Sequence, residues 1–225
     1  MLRSRVARLP ASRAQRGLSL VELMVGVAVG LFVVAAATML VTTQLNDNRR
    51  LLLETQVQQD LRATADIITR QIRRAAHWDK AHQSVAKPDV PAAVNPLAMV
   101  APDAAPSAQV EFFYDSPTGE VGPFGFRRNG DLIQSRIGGG WQDLTDRRTL
   151  KITSFNVNPV NGPALALTCD KLCADGTKDC WPRLTVRALE VEMEGQAASD
   201  PSVRRSLTTF VRLRNDWIPS LACPA

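Results

Sequence analysis

The chain has 225 residues, enough for one domain with an appendage at roughly 150 residues per domain. Its 45% hydrophobic and 22% charged composition is globular, which excludes wholesale disorder, a collagen-like repeat and a polytopic membrane protein. The formal charge of +5 is misleading, because Arg3, Arg5, Arg8, Arg13 and Arg16 fall in an acid-free stretch of 17 residues, and the remaining 22 basic side chains face 22 acidic ones, leaving a neutral body with no bulk drive toward polyanions.

After Gly17 the chain turns apolar, and from Leu23 to Val41 only Thr38 interrupts nineteen hydrophobic or glycine residues. As a helix this run covers roughly 28 Å, about the hydrocarbon thickness of a bilayer. A cleaved secretory signal would show an apolar core of about 7–15 residues before an A-x-A-like site. Ala35-Ala36-Ala37 imitates such a site, but the run is too long for one. A plain signal anchor accounts for the length and the arginines. It does not account for Glu22, since a carboxylate costs on the order of 2–3 kcal/mol at mid-membrane. The order Arg16-Gly17-Leu18-Ser19-Leu20-Val21-Glu22, with a basic leader before it and a long apolar run behind it, resembles the class III signal of type IV pilins and type II secretion pseudopilins.

That resemblance implies cleavage by a prepilin peptidase after Gly17 and N-methylation of the new terminus, Leu18. The leader is then residues 1–17, and the mature chain keeps its apolar helix, residues 18–43. It also implies a role for Glu22 in setting the register of assembly. The methylated amine of one subunit would lie beside the Glu22 carboxylate of another, and in low dielectric each charge satisfies the other. A Glu22 that bridges its own terminus or sits among head groups is the plainer alternative. Leu18 stands where phenylalanine is commonest in the family. The arginines before the span place the leader in the cytoplasm and residue 46 onward outside the inner membrane.

No proline falls between Pro10 and Pro88, so nothing obliges the helix to stop at the membrane surface. Residues 44–82 are expected to continue it as an amphipathic half. Leu53, Val57, Leu61, Ala65, Ile68 and Ile72 form one stripe, while Glu54, Gln58, Arg62, Asp66, Arg70 and Arg73 lie off it. One helix from Leu18 to about Ala76 would be 59 residues and roughly 88 Å long. Major pilins usually carry a proline in its membrane half, and none is present here. A coiled-coil dimer is the competing use of the stripe, but six positions sustain few heptads.

Residues 83–108 hold five prolines and eight alanines, which forbids continuous helix and a central strand and predicts a surface-draped connector. Residues 109–225 are strand-rich. Val110–Tyr114 comes first. Phe124–Arg128 and Asp131–Arg136 flank Asn129-Gly130, a two-residue type I′ hairpin signal. Leu150–Val157, Leu165–Thr168, Leu184–Met193 and Leu207–Leu213 follow. The last alternates as a half-buried strand should, and Leu184–Met193 slips phase at Ala188-Leu189, suggesting a bulge or burial on both faces. No βαβ alternation occurs, so the sheet should be mainly antiparallel. The expected fold is α+β, a pilin-like lollipop whose long N-terminal helix packs on an antiparallel β-sheet head. Asp60–Ala76 together with Phe210–Asn215 is similar to minor pilins of the PilW type, with the J-type minor pseudopilins of type II secretion as nearest cousins.

Cys169, Cys173, Cys180 and Cys223 form an even set on the exported side, where disulfides are permitted, and four cysteines allow three connectivities. A bridge from Cys223 that ties back the C-terminal tail, with a second bridge within residues 169–180, is the favoured arrangement. The spacing suits zinc poorly, and Asp170, Asp175 and Asp179 lack EF-hand spacing, so no metal or cofactor is expected.

Catalytic residues are lacking. His77 and His82 follow the long helix, no nucleophile elbow, zincin motif or P-loop occurs, and Gly138-Gly139-Gly140 reads as a turn. Trp78, Trp141, Trp181 and Trp217 read as core or rim, and Glu190, Glu192 and Glu194 as a solvated strand face. An enzyme is not expected.

The reading is a minor pilin that primes or caps a type IV pilus from the inner membrane. Its implied partners are the prepilin peptidase, other minor pilins, the major pilin and an inner-membrane assembly platform. The alternatives are a minor pseudopilin of a type II secretion tip complex and a pilus-borne adhesin or DNA-binding subunit. The last would rely on Arg127-Arg128, Arg147-Arg148 and Arg204-Arg205, and nucleic acid is an unfavoured partner.

Overall fold

The computed structural model describes residues 17, 19–84, 93–218 and 223–224. Leu18, most of the leader and part of the Pro/Ala-rich connector lie outside the described residues. The chain divides into two units, one ending at Arg49 and one starting at Arg50, and the class is α+β.

The first unit is helical. Helix α1, Leu20–Ile72, starts within it, and its residues up to Arg49 are exposed on every face. Phe32, for example, is 76% exposed. The threonines of this unit satisfy their own hydroxyls: Thr38 donates to the Val34 carbonyl at 2.8 Å, and Thr42 and Thr43 both donate to the Met39 carbonyl at 2.9 and 3.0 Å. Such back-bonding removes the cost of a bare hydroxyl in an apolar medium.

In the second unit the stripe Val57, Leu61, Ala65, Ile68 and Ile72 is buried, and Leu53 packs at its margin. Thr64 and Thr69 are buried beside the stripe, their hydroxyls donating to Asp60 and Asp66 carbonyls at 2.8 and 3.3 Å. The helix does not continue to Ala76. Its last hydrogen bonds tighten, with Arg74 and Ala75 amides reaching carbonyls only three residues back, both at 3.0 Å. Ala76 then takes φ 61°, a left-handed value that costs an alanine about 1–2 kcal/mol. Two side chains and the main chain at Phe113 hold it there. Asn215 donates to the Ala75 carbonyl at 3.0 Å and Asn95 to that of Ala76 at 2.8 Å, while the Ala76 amide donates to Phe113 at 2.7 Å.

The strands follow as β1 (Val100–Ala101), β2 (Gln109–Phe112), β3 (Phe124–Asn129), β4 (Leu132–Ile137) and β5 (Gly140–Asp143), forming one antiparallel meander in that order. Next come β6 (Leu150–Pro159), β7 (Leu165–Ala166), β8 (Arg183–Leu184), β9 (Ala188–Ala197) and β10 (Arg204–Arg212). A second antiparallel sheet has the order β10-β9-β6, and β7 pairs with β8 alone. The two larger sheets are joined by a bridge between Ser107 and Val157, at 2.8 and 3.1 Å.

Three details correct the sequence reading. Asn129 pairs with Leu132, so the hairpin loop is Gly130-Asp131, one residue later than expected. Positive φ is confined there to Gly130, at 63°, which is the pattern of a type II′ turn and not of type I′. The phase slip at Ala188-Leu189 is neither a bulge nor two-sided burial. It is a strand boundary, because Arg183–Leu184 pairs with β7 and β9 begins at Ala188 with clean alternation. The register irregularity falls instead in β6, between Ile152 and Ser154. Finally, the connector contributes β1, an edge strand, as its prolines permit.

The core is closed by the helix stripe against Val110, Phe112, Phe126, Ile152, Val191 and Val211 among others. The inward face of β9 tapers from Leu189, Val191 and Met193 to Gly195 and Ala197. A Cβ on Gly195 would lie 2.7 Å from Leu150 Cδ1, 3.3 Å from the Lys151 carbonyl and 3.4 Å from Leu61 Cδ2. Leu61 and Leu150 are themselves buried and cannot swing away. Gly195→Val should therefore destabilise the fold by roughly 1–3 kcal/mol through overpacking, read as a lower urea midpoint at unchanged m-value. An unshifted midpoint would mean that helix and sheet have slack at this point.

Candidate functional site

The sequence-predicted site lies at the start of α1. Gly17 is exposed, and a Cβ there would meet nothing within 4 Å. The Leu23 amide donates to the Ser19 carbonyl at 3.1 Å, which opens the helix, and Glu22 is the acid of its first turn. An acid there faces the positive end of the helix dipole, worth typically 0.3–1 kcal/mol. Glu22 is exposed, with no ion-pair partner among the described residues. Leu18, whose amine would follow cleavage, lies outside the described residues. Behind this site runs a helix long and apolar enough to cross a membrane.

Comparison with protein-family models supplies the decisive finding. A prokaryotic N-terminal methylation motif covers residues 12–38, enclosing Gly17, Leu18 and Glu22. The model of prepilin peptidase-dependent protein B covers residues 50–213, well over half of the chain. The chain belongs to the prepilin peptidase-dependent protein B family. No curated protein and no solved structure matches it.

Membership makes this a type IV pilin-like minor pilin, and dependence on prepilin peptidase implies processing by that enzyme. The leader motif and the apolar helix together fit a single-pass inner-membrane anchor.

The other candidate residues divide clearly. The cysteines come together as Cys169–Cys223, spanning 54 residues, and Cys173–Cys180, spanning seven. His77 pairs with Asp79 at 3.1 Å, and His82 lies in a short 3-10 turn, Ala81–Ser84. Glu190, Glu192 and Glu194 occupy the outward face of β9, half-exposed. All four tryptophans are on the rim: Trp141 lies under Arg127, whose guanidinium is 4.3 Å from the ring centroid, and Trp217 bridges to Thr185.

The arginine pairs proposed for nucleic acid are largely engaged within the chain. Arg127 donates to Gln134 at 3.0 and 3.1 Å, Arg128 to the Ile152 carbonyl at 3.3 Å, and Arg148 pairs with Asp146 at 3.0 Å. Arg205 pairs with Glu54 on the helix, a carboxylate that also holds Arg50 at 3.1 Å.

Sequence reasoning missed Arg187. Its guanidinium donates to the Ala98 carbonyl and, at 3.2 Å, to that of Asn215, tying the connector and the C-terminal segment to the start of β9. Burial lowers its pKa and Asp216 opposes that effect. Nothing in the local pattern around Arg187 signals this role, since both acceptors are main-chain carbonyls remote in sequence.

Proposed function

We propose that this chain is a minor pilin that primes or caps a type IV pilus, acting as a structural subunit and not as an enzyme. Its partners in this reading are other minor pilins, the major pilin and the inner-membrane assembly platform. The observation that carries it is Glu22, an acid in the first turn of an exposed helix whose next nineteen residues, Leu23 to Val41, are apolar or glycine save Thr38. A helix that only anchored a domain would be more stable in the membrane without that carboxylate. In a bundle of staggered helices, the methylated Leu18 amine of one subunit neutralises Glu22 of its neighbour, so only one axial register leaves no bare charge.

The head belongs outside the cytoplasm in this reading, and two features support that. The arginines of the leader obey the positive-inside rule. Two disulfides close the head, and such bonds persist in oxidising compartments such as the periplasm. The finer likeness of Asp60–Ala76 and Phe210–Asn215 to PilW-type pilins is part of the same proposal.

Glu22→Ala is expected to insert into the membrane and be cleaved normally, yet to be lost from sheared filaments by at least about tenfold, the effect of leaving one charge unpaired. Immunoblots of membrane and filament fractions read both quantities. Wild-type amounts in the filament fraction would sink the register role. A deletion strain that keeps its pili but fails to secrete enzymes would move the chain to a secretion pseudopilus.

A further inference from the structure

Where α1 ends, three sequence-distant segments meet around an open cleft of about 500 Å³. Arg73 and Arg74 approach from the helix end, and Arg214 from the residues after β10. Their placement is firmly built. Asn215 donates to Ala75 at 3.0 Å, and the Asp115 amide donates to the His77 carbonyl at 2.9 Å. The opposite wall is fixed by Asp115, whose carboxylate accepts the Asp79 amide at 2.8 Å, while Asp79 itself pairs with His77.

Arg74 is partly committed, with its guanidinium 4.9 Å from the Tyr114 ring centroid. Arg73 and Arg214 are different. Neither guanidinium has a hydrogen-bond, ion-pair or ring partner among the described residues, although most arginines of this unit are engaged. Two exposed arginines that line one cleft and lack a partner are suited to a planar acceptor with two oxygens.

We propose that this cleft receives one carboxylate side chain, an Asp or Glu of a neighbouring protein subunit. Charge decides the class of ligand. The three arginines and two aspartates of the lining leave an excess of guanidinium over carboxylate, which a carboxylate of a partner answers. Successive phosphates of a nucleic acid would meet the carboxylates of Asp79 and Asp115. The assignment of the carboxylate to a neighbouring subunit rests on the assembly reading above; the binding itself does not.

The test uses the leader-processed full chain in detergent, with arginine side-chain Nε–Hε signals followed by NMR. The probes are acetyl-Gly-Glu-Gly-amide, its Gln counterpart, sodium phosphate and a short DNA duplex, all at one ionic strength. The Glu peptide should shift the Arg73 and Arg214 signals saturably and the Gln peptide should not. Arg73→Gln with Arg214→Gln should weaken the Glu peptide at least about tenfold, and the double Lys variant should fall between, keeping charge but losing the fork. Should the Gln variant misfold, the Lys variant and the wild-type probe series carry the result. Equal response to the Glu and Gln peptides overturns the proposal, as does tighter binding of phosphate or DNA. A chain that binds the Glu peptide and yet joins no filament leaves this inference standing and removes the assembly reading.

Discussion

Gly17→Val is expected to leave the chain as a full-length precursor that migrates about 2 kDa above the mature form, with no methylated Leu18 detectable by mass spectrometry. The reason is steric. Gly17 is exposed and a Cβ there meets nothing within 4 Å, so among the described residues nothing needs it to be glycine. The requirement must therefore come from the protease, whose site has to admit the residue before the scissile bond. The folded head should be unaffected, and its urea midpoint serves as the control. Cleavage of Gly17→Val at the wild-type rate would mean that the chain is cut at another bond, and the processing motif spanning residues 12–38 would lose its meaning for this chain.

Parts of the molecule with a local physical cause are readable from sequence. The stripe from Val57 to Ile72 is one, because a 3.6-residue period has a single apolar face and that face is buried. The alternation of β10 is another, with Val211 buried and Phe210 62% exposed. What escapes local reading depends on distant partners. Ala76 adopts a left-handed conformation that its own identity disfavours, and the compensation comes from Asn95, Asn215 and Phe113. The hairpin moved by one residue because Asn129 is held by the ladder against Leu132, which overrides its preference for a turn. Strands of two residues, such as β1 and β8, are too short for any period to show. At the candidate site the leader motif is fully sequence-borne, since a processing enzyme reads it before folding matters. The arginine cleft is the opposite case. Arg73 and Arg214 look like ordinary solvated charges until the fold brings the helix end beside the residues after β10.

The two disulfides should be unequal in value, although both are intact in the same head. Fixing a longer loop removes more freedom from the unfolded chain. In the chain-entropy model the Cys169–Cys223 bridge, with 54 residues of separation, contributes about 4 kcal/mol and the Cys173–Cys180 bridge, with seven, about 2.5 kcal/mol. The long bridge also secures the segment in which Thr185 and Trp217 exchange hydrogen bonds at 2.8 and 3.0 Å and Arg187 grips Asn215. Cys169→Ser with Cys223→Ser should therefore lower the urea midpoint of the detergent-solubilised mature chain more than Cys173→Ser with Cys180→Ser does. The shortfall is about 1.5 kcal/mol between the two pairs. Tryptophan fluorescence reports the transition, because Trp78, Trp141, Trp181 and Trp217 all lie in the second unit. Equal losses would show that loop entropy does not govern these bonds and that local contacts around Cys173 and Cys180 matter as much. Loss of α1 helicity in the long-bridge variant would point elsewhere again, to the Asn215–Ala75 bond as the route by which the tail holds the helix end.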